Sequence, residues 1–216
     1  MKILFITDLH GQFDALAKLP SADLLLVGGD LTNFGIPEEF RMGMQKIEAV
    51  FPDFKGVAGN LDPGMAADEI LAEGSHLLSL QEIECKGIRL LGLSGSNLCP
   101  RPTPYQWDDE YMIQQFVNKE DIRIDILVTH APPHGFGADV IPNGMHVGSH
   151  AVKRLAEMTR PRLHLCGHIH EASGVFDEND TLLVNPGPFG KVGNYALIEL
   201  PDGQKPVVTL GKAIQE

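Results

Sequence analysis

Residues 3–10 of the chain read ILFITDLH, an apolar run that ends directly in the polar side chains of Asp8 and His10. The run over residues 3–6 has the length of a strand, and no polar residue interrupts it. Continuous apolar runs of this kind are typical of strands that are covered on both faces, as in α/β proteins. Because α/β proteins build their sites outside the carboxyl ends of their strands, this stretch predicts a buried strand followed by a functional loop.

The same pattern recurs along the chain and predicts the fold class. Apolar runs of strand length that stop at Gly, Asp, Asn or His occupy residues 3–6, 24–27, 55–58, 88–93, 124–128, 163–166, 182–184 and 195–200. Helical patterns lie between several of them, over residues 12–18, 37–50, 65–73, 107–118 and 149–158. Strands that alternate with helices, with hairpin-like strands added, predict an α/β fold. The sequence contains no repeat or linker, so we predict one domain over residues 1–216.

The composition argues against several functional classes. The formal net charge is −12 and the chain contains no basic run, so a stable complex with nucleic acid is not expected. No segment approaches about 18 continuous apolar residues, and the first run is too short for a secretory leader, so we expect no membrane association. The three cysteines, Cys85, Cys99 and Cys166, are odd in number and lack metal-finger spacing. This pattern favours a reducing compartment, and we predict a cytoplasmic protein.

Five stretches place polar side chains directly after a predicted strand. They are Thr7-Asp8-Leu9-His10, Gly28-Gly29-Asp30, Gly59-Asn60-Leu61-Asp62, Thr129-His130 and Gly167-His168-Ile169-His170. Each stretch alone has a structural explanation, since Asp and Asn commonly form turns and a single loop histidine is commonly structural. Because the carboxyl ends of parallel strands meet at one edge of a sheet, the five stretches together predict a single site.

The predicted site combines three carboxylates, one amide and four imidazoles, which is a typical set of metal ligands. Mixed oxygen and nitrogen ligands without thiolates favour Mn²⁺, Fe or Zn²⁺ in a five- or six-coordinate centre over structural zinc. The set is too large for one ion, whereas two ions about 3.5–4 Å apart that share a carboxylate use it naturally. We therefore predict two divalent metal ions, with Mn²⁺ favoured and Fe, Zn²⁺, Ni²⁺ or Co²⁺ as alternatives.

In order and spacing, these motifs resemble those of the calcineurin-like metallophosphoesterases. The family pattern D-x-H, G-D, G-N-x-[D/E], H and G-H-x-H corresponds to the segment from Asp8 to His170, and the Asn-Pro-Gly that follows it in the family is present at residues 185–187. The small size and the G-N-x-D form are most similar to the compact bacterial and archaeal phosphodiesterases. The resemblance implies an α/β four-layer αββα sandwich, in which two mixed β-sheets are flanked by helices.

The resemblance also implies a role for each residue of the motifs. The metal ligands are Asp8, His10 and His170 on one ion and Asn60, His130 and His168 on the other, with Asp30 bridging the two. Asn60 would also face a phosphoryl oxygen, and Asp62 would orient a neighbouring ligand. The implied nucleophile is a hydroxide that bridges the two metal ions and attacks phosphorus.

Leu61 departs from the family pattern, because many relatives carry a histidine there that is thought to protonate the leaving group or hold the phosphate. Either the enzyme acts on esters with good leaving groups, or another residue supplies the proton, or activity is weak. His146 is the first replacement to consider, followed by His134 and then His150. Backbone N–H groups at the start of the helix predicted from Ser149 are a further candidate for binding phosphate. The predicted catalytic residues are Asp30, Asn60, Asp62, His130 and His146.

The resemblance implies a dinuclear metal-dependent phosphoesterase, and we predict a phosphodiesterase that acts on a small phosphate ester, with nucleotides among the candidates. Two alternatives remain open: a phosphomonoesterase or nucleotide pyrophosphatase on the same site, and a non-catalytic scaffold that retains the fold and the metals. The oligomeric state is also open, with a dimer as one option. His76 and His164 are predicted to be structural, and Cys166 is predicted to be a buried strand residue rather than a nucleophile.

Overall fold

The computed structural model describes residues 1–117, 122–178, 180–201 and 204–214. In these ranges, the strands and α-helices follow one another as β1 (Lys2–Ile6), β2 (Leu24–Val27), α1 (Pro37–Glu48), β3 (Lys55–Gly56), α2 (Met65–Glu73), β4 (Ile83–Cys85), β5 (Ile88–Leu93), β6 (Ser96–Asn97), β7 (Gln106–Trp107), α3 (Asp109–Phe116), β8 (Ile126–Thr129), α4 (His150–Thr159), β9 (Leu163–Leu165), β10 (Gly174–Glu178), β11 (Thr181–Asn185), β12 (Asn194–Glu199) and β13 (Val207–Lys212). Short 3-10 helices occupy Leu16–Lys18, Gly137–Asp139 and His170–Ala172. None of the helices in the described ranges is long and apolar enough to cross a bilayer.

The strands form two large mixed sheets. The first sheet has the order β13-β12-β1-β2-β3, and the second has the order β10-β11-β9-β8-β5-β4. Strands β1, β2 and β3 are parallel, as are β5, β8, β9 and β11, whereas β4, β10, β12 and β13 pair antiparallel with their neighbours. The carboxyl ends of the parallel strands therefore lie at one edge of each sheet, and the loops that carry the predicted ligands leave from there.

Alternate side chains of the central strands pack into different hydrophobic clusters, which defines the layers. In β1, Ile3 and Phe5 pack between the two sheets, whereas Leu4 and Ile6 pack against α1 and α2 on the outer face of the first sheet. In β8, Leu127 packs against α3 and α4 on the outer face of the second sheet. Full burial of such a side chain contributes about 1.5–3 kcal/mol. The order helix, sheet, sheet, helix confirms the predicted four-layer αββα sandwich.

Two of the predicted helices differ from the structure. The helix predicted over residues 12–18 is wrong, because only Leu16–Lys18 forms a 3-10 helix there. The segment lies between a turn at Gly11, where φ is +76°, and Pro20, and its residues outside the 3-10 helix form turns or irregular structure. The helix predicted over residues 107–118 begins only at Asp109, because Trp107 belongs to β7 and its indole Nε1 donates to the carbonyl of Ser94 at 2.9 Å. Residue 118 lies outside the described residues.

Several strand and helix boundaries also shift. Strand β8 begins two residues later than predicted, and α1 ends at Glu48 rather than at residue 50. Strands β4, β10 and β13 were absent from the predicted set, because their side chains are half-buried or exposed and their sequences contain few consecutive buried apolar residues. Ser149 is the N-cap of α4, as predicted, since its hydroxyl accepts a hydrogen bond from the Val152 amide at 3.0 Å.

Candidate metal centre

The predicted ligands lie in the loops that follow β1, β2, β3, β8 and β9, and four of them have strained backbones. The φ angles of Asp8, His10, Asp30 and His168 are 56°, 49°, 50° and 68°. Non-glycine residues rarely adopt this left-handed region, and each instance costs about 1–3 kcal/mol. Hydrogen bonds between the loops hold this conformation, such as those from the Asp8 amide to Gly29 and from the His10 amide to Asp30, at 3.0 and 2.9 Å. Strain of this kind is typical of functional sites.

Glycines that precede the predicted ligands allow the loops to approach one another. A Cβ at Gly59 would clash with the Asp30 carboxylate, and a Cβ at Gly167 would clash with the Asp8 carboxylate. The G-N and G-H pairs of the sequence therefore have a steric explanation. Only glycine at these two positions lets a carboxylate from a neighbouring loop pack directly against the backbone.

Asp8, His10 and His170 form the first group of candidate metal ligands. Their ligand atoms all lie within 4.8 Å of one another. His170 Nε2 lies 3.2 Å from Asp8 Oδ1 and 3.3 Å from His10 Nε2. Two imidazole nitrogens at this distance share at most one proton, and both face the same carboxylate. This donor set fits a divalent transition metal ion such as Mn²⁺.

The second group consists of Asp8, Asp30 and His130, all of them buried. The His130 Nδ1–H donates to the Gly28 carbonyl at 2.8 Å, so in the neutral ring Nε2 carries a lone pair. That atom lies 3.5 Å from Asp30 Oδ1 and 2.9 Å from Asn60 Oδ1. Burial lowers the pKa of His130, which favours the neutral ring. The lone pair of Nε2 and two side-chain oxygen atoms therefore face one another, an arrangement that fits a bound cation.

The side-chain amide of Asn60 is oriented by the loop that precedes β7. Its Nδ2 donates to Thr103 Oγ1 at 3.2 Å, which turns Oδ1 towards His130. The Asn60 carbonyl also accepts a hydrogen bond from the Tyr105 amide at 3.1 Å. Nothing in the sequence singles out Thr103, which lies among prolines in an irregular loop.

Asp8 belongs to both groups of ligands, whereas Asp30 belongs to one. The resemblance implied that Asp30 bridges two ions. In the structure, Asp30 Oδ1 accepts a hydrogen bond from the Leu61 amide at 2.8 Å and lies beside His130. The geometry therefore offers Asp8 as the carboxylate common to two adjacent donor sets, next to Asp30.

The carboxylate of Asp62 holds two ligand-bearing loops together. It accepts hydrogen bonds from the amides of Gly59 and Thr32 at 2.8 and 2.9 Å, from the Thr32 hydroxyl at 2.9 Å and from the Leu31 amide at 3.3 Å. Burial raises the pKa of Asp62 to about 6, and these hydrogen bonds oppose the rise. Asp62 thus positions the loops that carry Asp30 and Asn60.

The two central carboxylates have opposite pKa shifts. Burial by itself raises the pKa of Asp8, but the hydrogen bond with His170 and the charges of the surrounding histidines outweigh it and bring that pKa well below its usual range. Burial, followed by the charges of Asp62 and Asp8, raises the pKa of Asp30 well above its usual range. A bound cation stabilises buried carboxylates this close together, because it supplies further positive charge.

His168 lies beside the two groups but belongs to neither. Its amide donates to Asp8 Oδ2 at 3.1 Å, and its ring is 5.0 Å from that of His130 between centroids. Its Nε2 lies 3.7 Å from Cys99 Sγ. Burial, followed by the charge of His130, lowers the pKa of His168 to about 3, so the ring is neutral at neutral pH.

A cavity of about 570 Å³ opens next to His168 and contains the three remaining candidate histidines, His134, His146 and His150. The rings of His134 and His150 stack with their centroids 4.1 Å apart. His146 Nδ1 lies 2.6 Å from Oδ1 of the fully buried Asp139. Asp139 carries no sequence signal of its own, because it lies in the short 3-10 helix Gly137–Asp139 and not in one of the motifs that follow the strands.

The expectation that the start of α4 binds phosphate is wrong. The carboxylate of Asp109 accepts hydrogen bonds from the Ser149 hydroxyl at 2.6 Å and from the amides of His150 and Ala151 at 3.1 Å each. The Ser149 hydroxyl in turn accepts from the Val152 amide. A residue of the neighbouring helix α3 therefore already supplies the negative charge that this helix start attracts.

The other two histidines have the structural roles that the sequence predicted. His76 Nδ1 lies 2.7 Å from the Phe54 carbonyl and Nε2 lies 2.9 Å from Glu48 Oε1. His164 Nε2 lies 2.9 Å from Thr129 Oγ1 within the second sheet. Cys166 is fully buried, and burial raises the pKa of its thiol, which does not suit a nucleophile.

Comparison with known proteins places this fold and site in a family. The model of the calcineurin-like phosphoesterases matches residues 1–172, and the chain belongs to that family of metallophosphoesterases. A relative from Methanocaldococcus jannaschii, the uncharacterized protein MJ1162, is 31% identical over 201 residues, which cover 87% of this chain and 88% of the relative.

Solved structures share the fold at lower sequence identity. The protein TT1561 of Thermus thermophilus is 18% identical, with a TM-score of 0.73 and 99% of each chain covered. A structure described as a novel archaeal phosphodiesterase is 12% identical, with a TM-score of 0.51 and coverage of 97% of this chain and 99% of the other. The family, together with the candidate ligand groups, indicates a metal-binding hydrolase of phosphoric esters.

Proposed function

We propose that this protein is a dinuclear metal-dependent phosphodiesterase that hydrolyses a small phosphate ester, with nucleotides among the candidates. The observation that carries the proposal is the pair of adjacent ligand groups that share the Asp8 carboxylate. The family match supports an enzyme that acts on phosphoric esters. The likeness in fold to a protein described as an archaeal phosphodiesterase supports the choice of a diester.

The residues that would hold the two ions are Asp8, His10 and His170 for the first and Asp30, Asn60, His130 and His168 for the second. Asp8, which belongs to both ligand groups, would be shared between the two ions. Two divalent ions bound there would lower the pKa of water towards neutrality and neutralise negative charge on the phosphoryl group. Other residues of the protein orient the metal ligands. Gly28 fixes the tautomer of His130, Thr103 turns the Asn60 oxygen towards the site, and Asp62 ties the loops together.

The cavity beside the centre favours a phosphodiester over a phosphomonoester. A phosphomonoester carries a second negative charge, for which proteins commonly provide Arg or Lys. Among the described residues, those that line the cavity include no lysine or arginine. They include Leu98, Ile141 and Val147, which suit an organic substituent of a diester.

Metal analysis and an ester panel test the proposal. The purified protein is stripped with a chelator, reloaded with Mn²⁺, Fe²⁺, Zn²⁺, Ni²⁺ or Co²⁺, and assayed on bis-p-nitrophenyl phosphate, p-nitrophenyl phosphate, cyclic nucleotides and dinucleotides. We expect two ions per chain, the highest kcat/KM on a diester, and the best activity with Mn²⁺. Asp30→Asn should lose metal and activity together, whereas Asp177→Asn on the exposed strand β10 should lose neither.

Three outcomes would contradict the proposal. Wild-type turnover in Asp30→Asn with two ions bound would exclude the assigned ligand set, in which Asp30 is essential. A preference for p-nitrophenyl phosphate or for a pyrophosphate bond would indicate a phosphomonoesterase or a nucleotide pyrophosphatase. Two bound ions without hydrolysis of any activated ester would indicate a scaffold.

We further propose that the protein is cytoplasmic, that residues 1–216 form one domain, and that it forms no stable complex with membranes or nucleic acid. The three free cysteines and the net charge of −12 support the location and the lack of a nucleic-acid partner. Fractionation, limited proteolysis and a nucleic-acid binding assay test these three points. The oligomeric state, for which a dimer is one option, is measured by light scattering.

A further inference from the structure

Leu61 leaves the candidate centre without a proton donor at the position where the family pattern commonly has a histidine. Its side chain is half-buried between Asn60 and Asp62 and is purely apolar. A diester with an alkyl leaving group needs a proton on the departing oxygen, because an alkoxide is a poor leaving group. The structure contains one histidine near the centre whose surroundings suit that task.

His146 is held by a buried carboxylate. Asp139 is fully buried, and its Oδ1 lies 2.6 Å from His146 Nδ1. The other oxygen of Asp139 accepts hydrogen bonds from the amides of Gly135 and Gly148 at 2.9 and 3.0 Å. Because Nδ1–H donates to the carboxylate, the transferable proton of the doubly protonated ring is the one on Nε2. A carboxylate in this position also fixes the ring orientation and offsets the positive charge of the imidazolium.

The pair lies next to the candidate centre without belonging to it. The side chain of His146 is 41% exposed, and it lines the same cavity as His168. The cavity is about 570 Å³ in volume, which is enough for the organic part of a small ester. A substrate whose phosphate lies beside His168 has room in this cavity to place its leaving group along the wall that carries His146.

The neighbouring histidines lack the same support. His134 and His150 stack on each other with ring centroids 4.1 Å apart. In the part of the chain that the structure describes, His146 is the one histidine of the three whose ring forms a hydrogen bond with a carboxylate. The sequence left three histidines as candidates for the proton donor, and the hydrogen bond to a carboxylate favours His146 among them.

We propose that His146 is the general acid of this enzyme and that Asp139 is the residue that positions it. The inference rests on the proposed phosphodiesterase function. As the bond between phosphorus and the leaving oxygen breaks, its electron pair goes to that oxygen, which takes the proton from His146 Nε2. An oxygen of water forms the new bond to phosphorus and releases a proton to solvent. The products are a phosphomonoester and an alcohol, and His146 regains its proton from solvent.

The test compares diesters that differ only in their leaving group. Methyl p-nitrophenyl phosphate has a good leaving group, and methyl phenyl phosphate and an alkyl diester have progressively poorer ones. The main variant is His146→Asn, whose amide nitrogen occupies the place of Nδ1 and retains the hydrogen bond to Asp139. This variant preserves the structural contact and removes only Nε2. Asp139→Asn is the second variant, and His150→Gln is the matched control.

We expect His146→Asn to lower kcat/KM for the alkyl diester by about 10²–10⁴-fold. The same variant should change kcat/KM for the p-nitrophenyl ester by less than about 3-fold, because that leaving group departs without protonation. Asp139→Asn should show the same trend with a smaller loss. His150→Gln should keep the wild-type dependence on the leaving group. Adding Leu61→His to His146→Asn should restore part of the activity on the alkyl diester.

Several results would overturn the inference. Equal losses on good and poor leaving groups, at unchanged metal content and circular dichroism, would show that His146 has a structural or binding role. A wild-type dependence on the leaving group in soluble His146→Asn would exclude it as the acid. If His146→Asn does not fold, Asp139→Asn provides the test. A wild-type dependence of kcat/KM on the leaving group in that variant would exclude the roles proposed for His146 and Asp139. A wild-type protein that hydrolyses none of the esters contradicts the proposed function instead.

Discussion

The Nε2 atoms of His10 and His170 lie 3.3 Å apart, although these residues follow strands of two different sheets. Both rings face the Asp8 carboxylate, whose Oδ1 is 3.2 Å from His170 Nε2. The packing of the two sheets therefore places the first D-x-H motif against the last G-H-x-H motif. This contact closes the candidate centre.

Asp8→Ala is expected to remove both metal ions, whereas Asp30→Ala and His170→Ala are each expected to remove one. The reason is that Asp8 belongs to both ligand groups, and each of the other two residues belongs to one. Plasma mass spectrometry after dialysis measures the ratio of metal to protein. If Asp30→Ala lost both ions and Asp8→Ala kept one, Asp30 would be the bridging ligand that the resemblance implies.

Thr103→Val is expected to lower the affinity for one metal ion, the ion that Asn60 would hold, by about 10–100-fold. A loss of this size is typical when a residue that orients a metal ligand is replaced. The variant removes the hydroxyl that accepts from Asn60 Nδ2 at 3.2 Å, so the amide oxygen is no longer fixed. Thr103→Ser keeps that hydroxyl and serves as the control. Calorimetric titration of the chelator-treated protein with Mn²⁺ separates the two sites. Equal affinities in both variants would show that Thr103 does not position Asn60.

Asp109→Ala is expected to lower the free energy of unfolding by about 1–2 kcal/mol, the typical cost of losing a helix cap. The Asp109 carboxylate accepts three hydrogen bonds at the start of α4, so its loss leaves those donors unpaired. Glu110→Ala, at the next residue of α3, is the control and is expected to change stability by less than about 0.5 kcal/mol. Urea unfolding compares the two, and equal losses would argue against the interhelical cap.

His164→Gln is expected to reduce the decrease in the free energy of unfolding that occurs as the pH falls below 6.5. Burial lowers the pKa of His164 from 6.5 to about 3, so the unfolded chain binds one more proton than the folded chain between these values. His164 therefore contributes its full stability above pH 6.5, and this contribution decreases as the pH falls towards 3. The contribution of His164 to the free energy of unfolding decreases by at most about 1.4 kcal/mol per pH unit. Glutamine does not titrate, and its amide nitrogen can take the place of Nε2 beside Thr129.

Urea unfolding of both chelator-treated proteins between pH 4 and 8 measures this effect. The difference in stability between wild type and His164→Gln should change with pH below 6.5 and stay constant above it. A constant difference over the whole range would show that His164 takes up no additional proton on unfolding. Comparing the two proteins cancels the contribution of the histidines in the metal centre, which titrate in both.

Local patterns in the sequence predicted strands that are buried on both faces, and the order of the motifs predicted the family, whose resemblance implied the four layers. The uninterrupted apolar run of β1 required burial on both faces, and its alternate side chains do pack on opposite sides of the first sheet. The order of the polar motifs after the strands was sufficient for the family, which the match over residues 1–172 shows. The helix over residues 12–18 was predicted wrongly because apolar residues at helical spacing also occur in irregular segments that pack against a core.

Only the tertiary structure decided how the motifs meet. Three features of the site depend on how loops and sheets pack. They are the position of Asp8 in both ligand groups, the hydrogen bond from Asn60 to Thr103 and the hydrogen bond between His146 and Asp139. The occupation of the α4 start by Asp109 is of the same kind. Such contacts leave no periodic signal in the sequence, because each depends on a few atoms in loops. The sequence therefore determined which chemistry is present, and the packing decided which atoms carry it out.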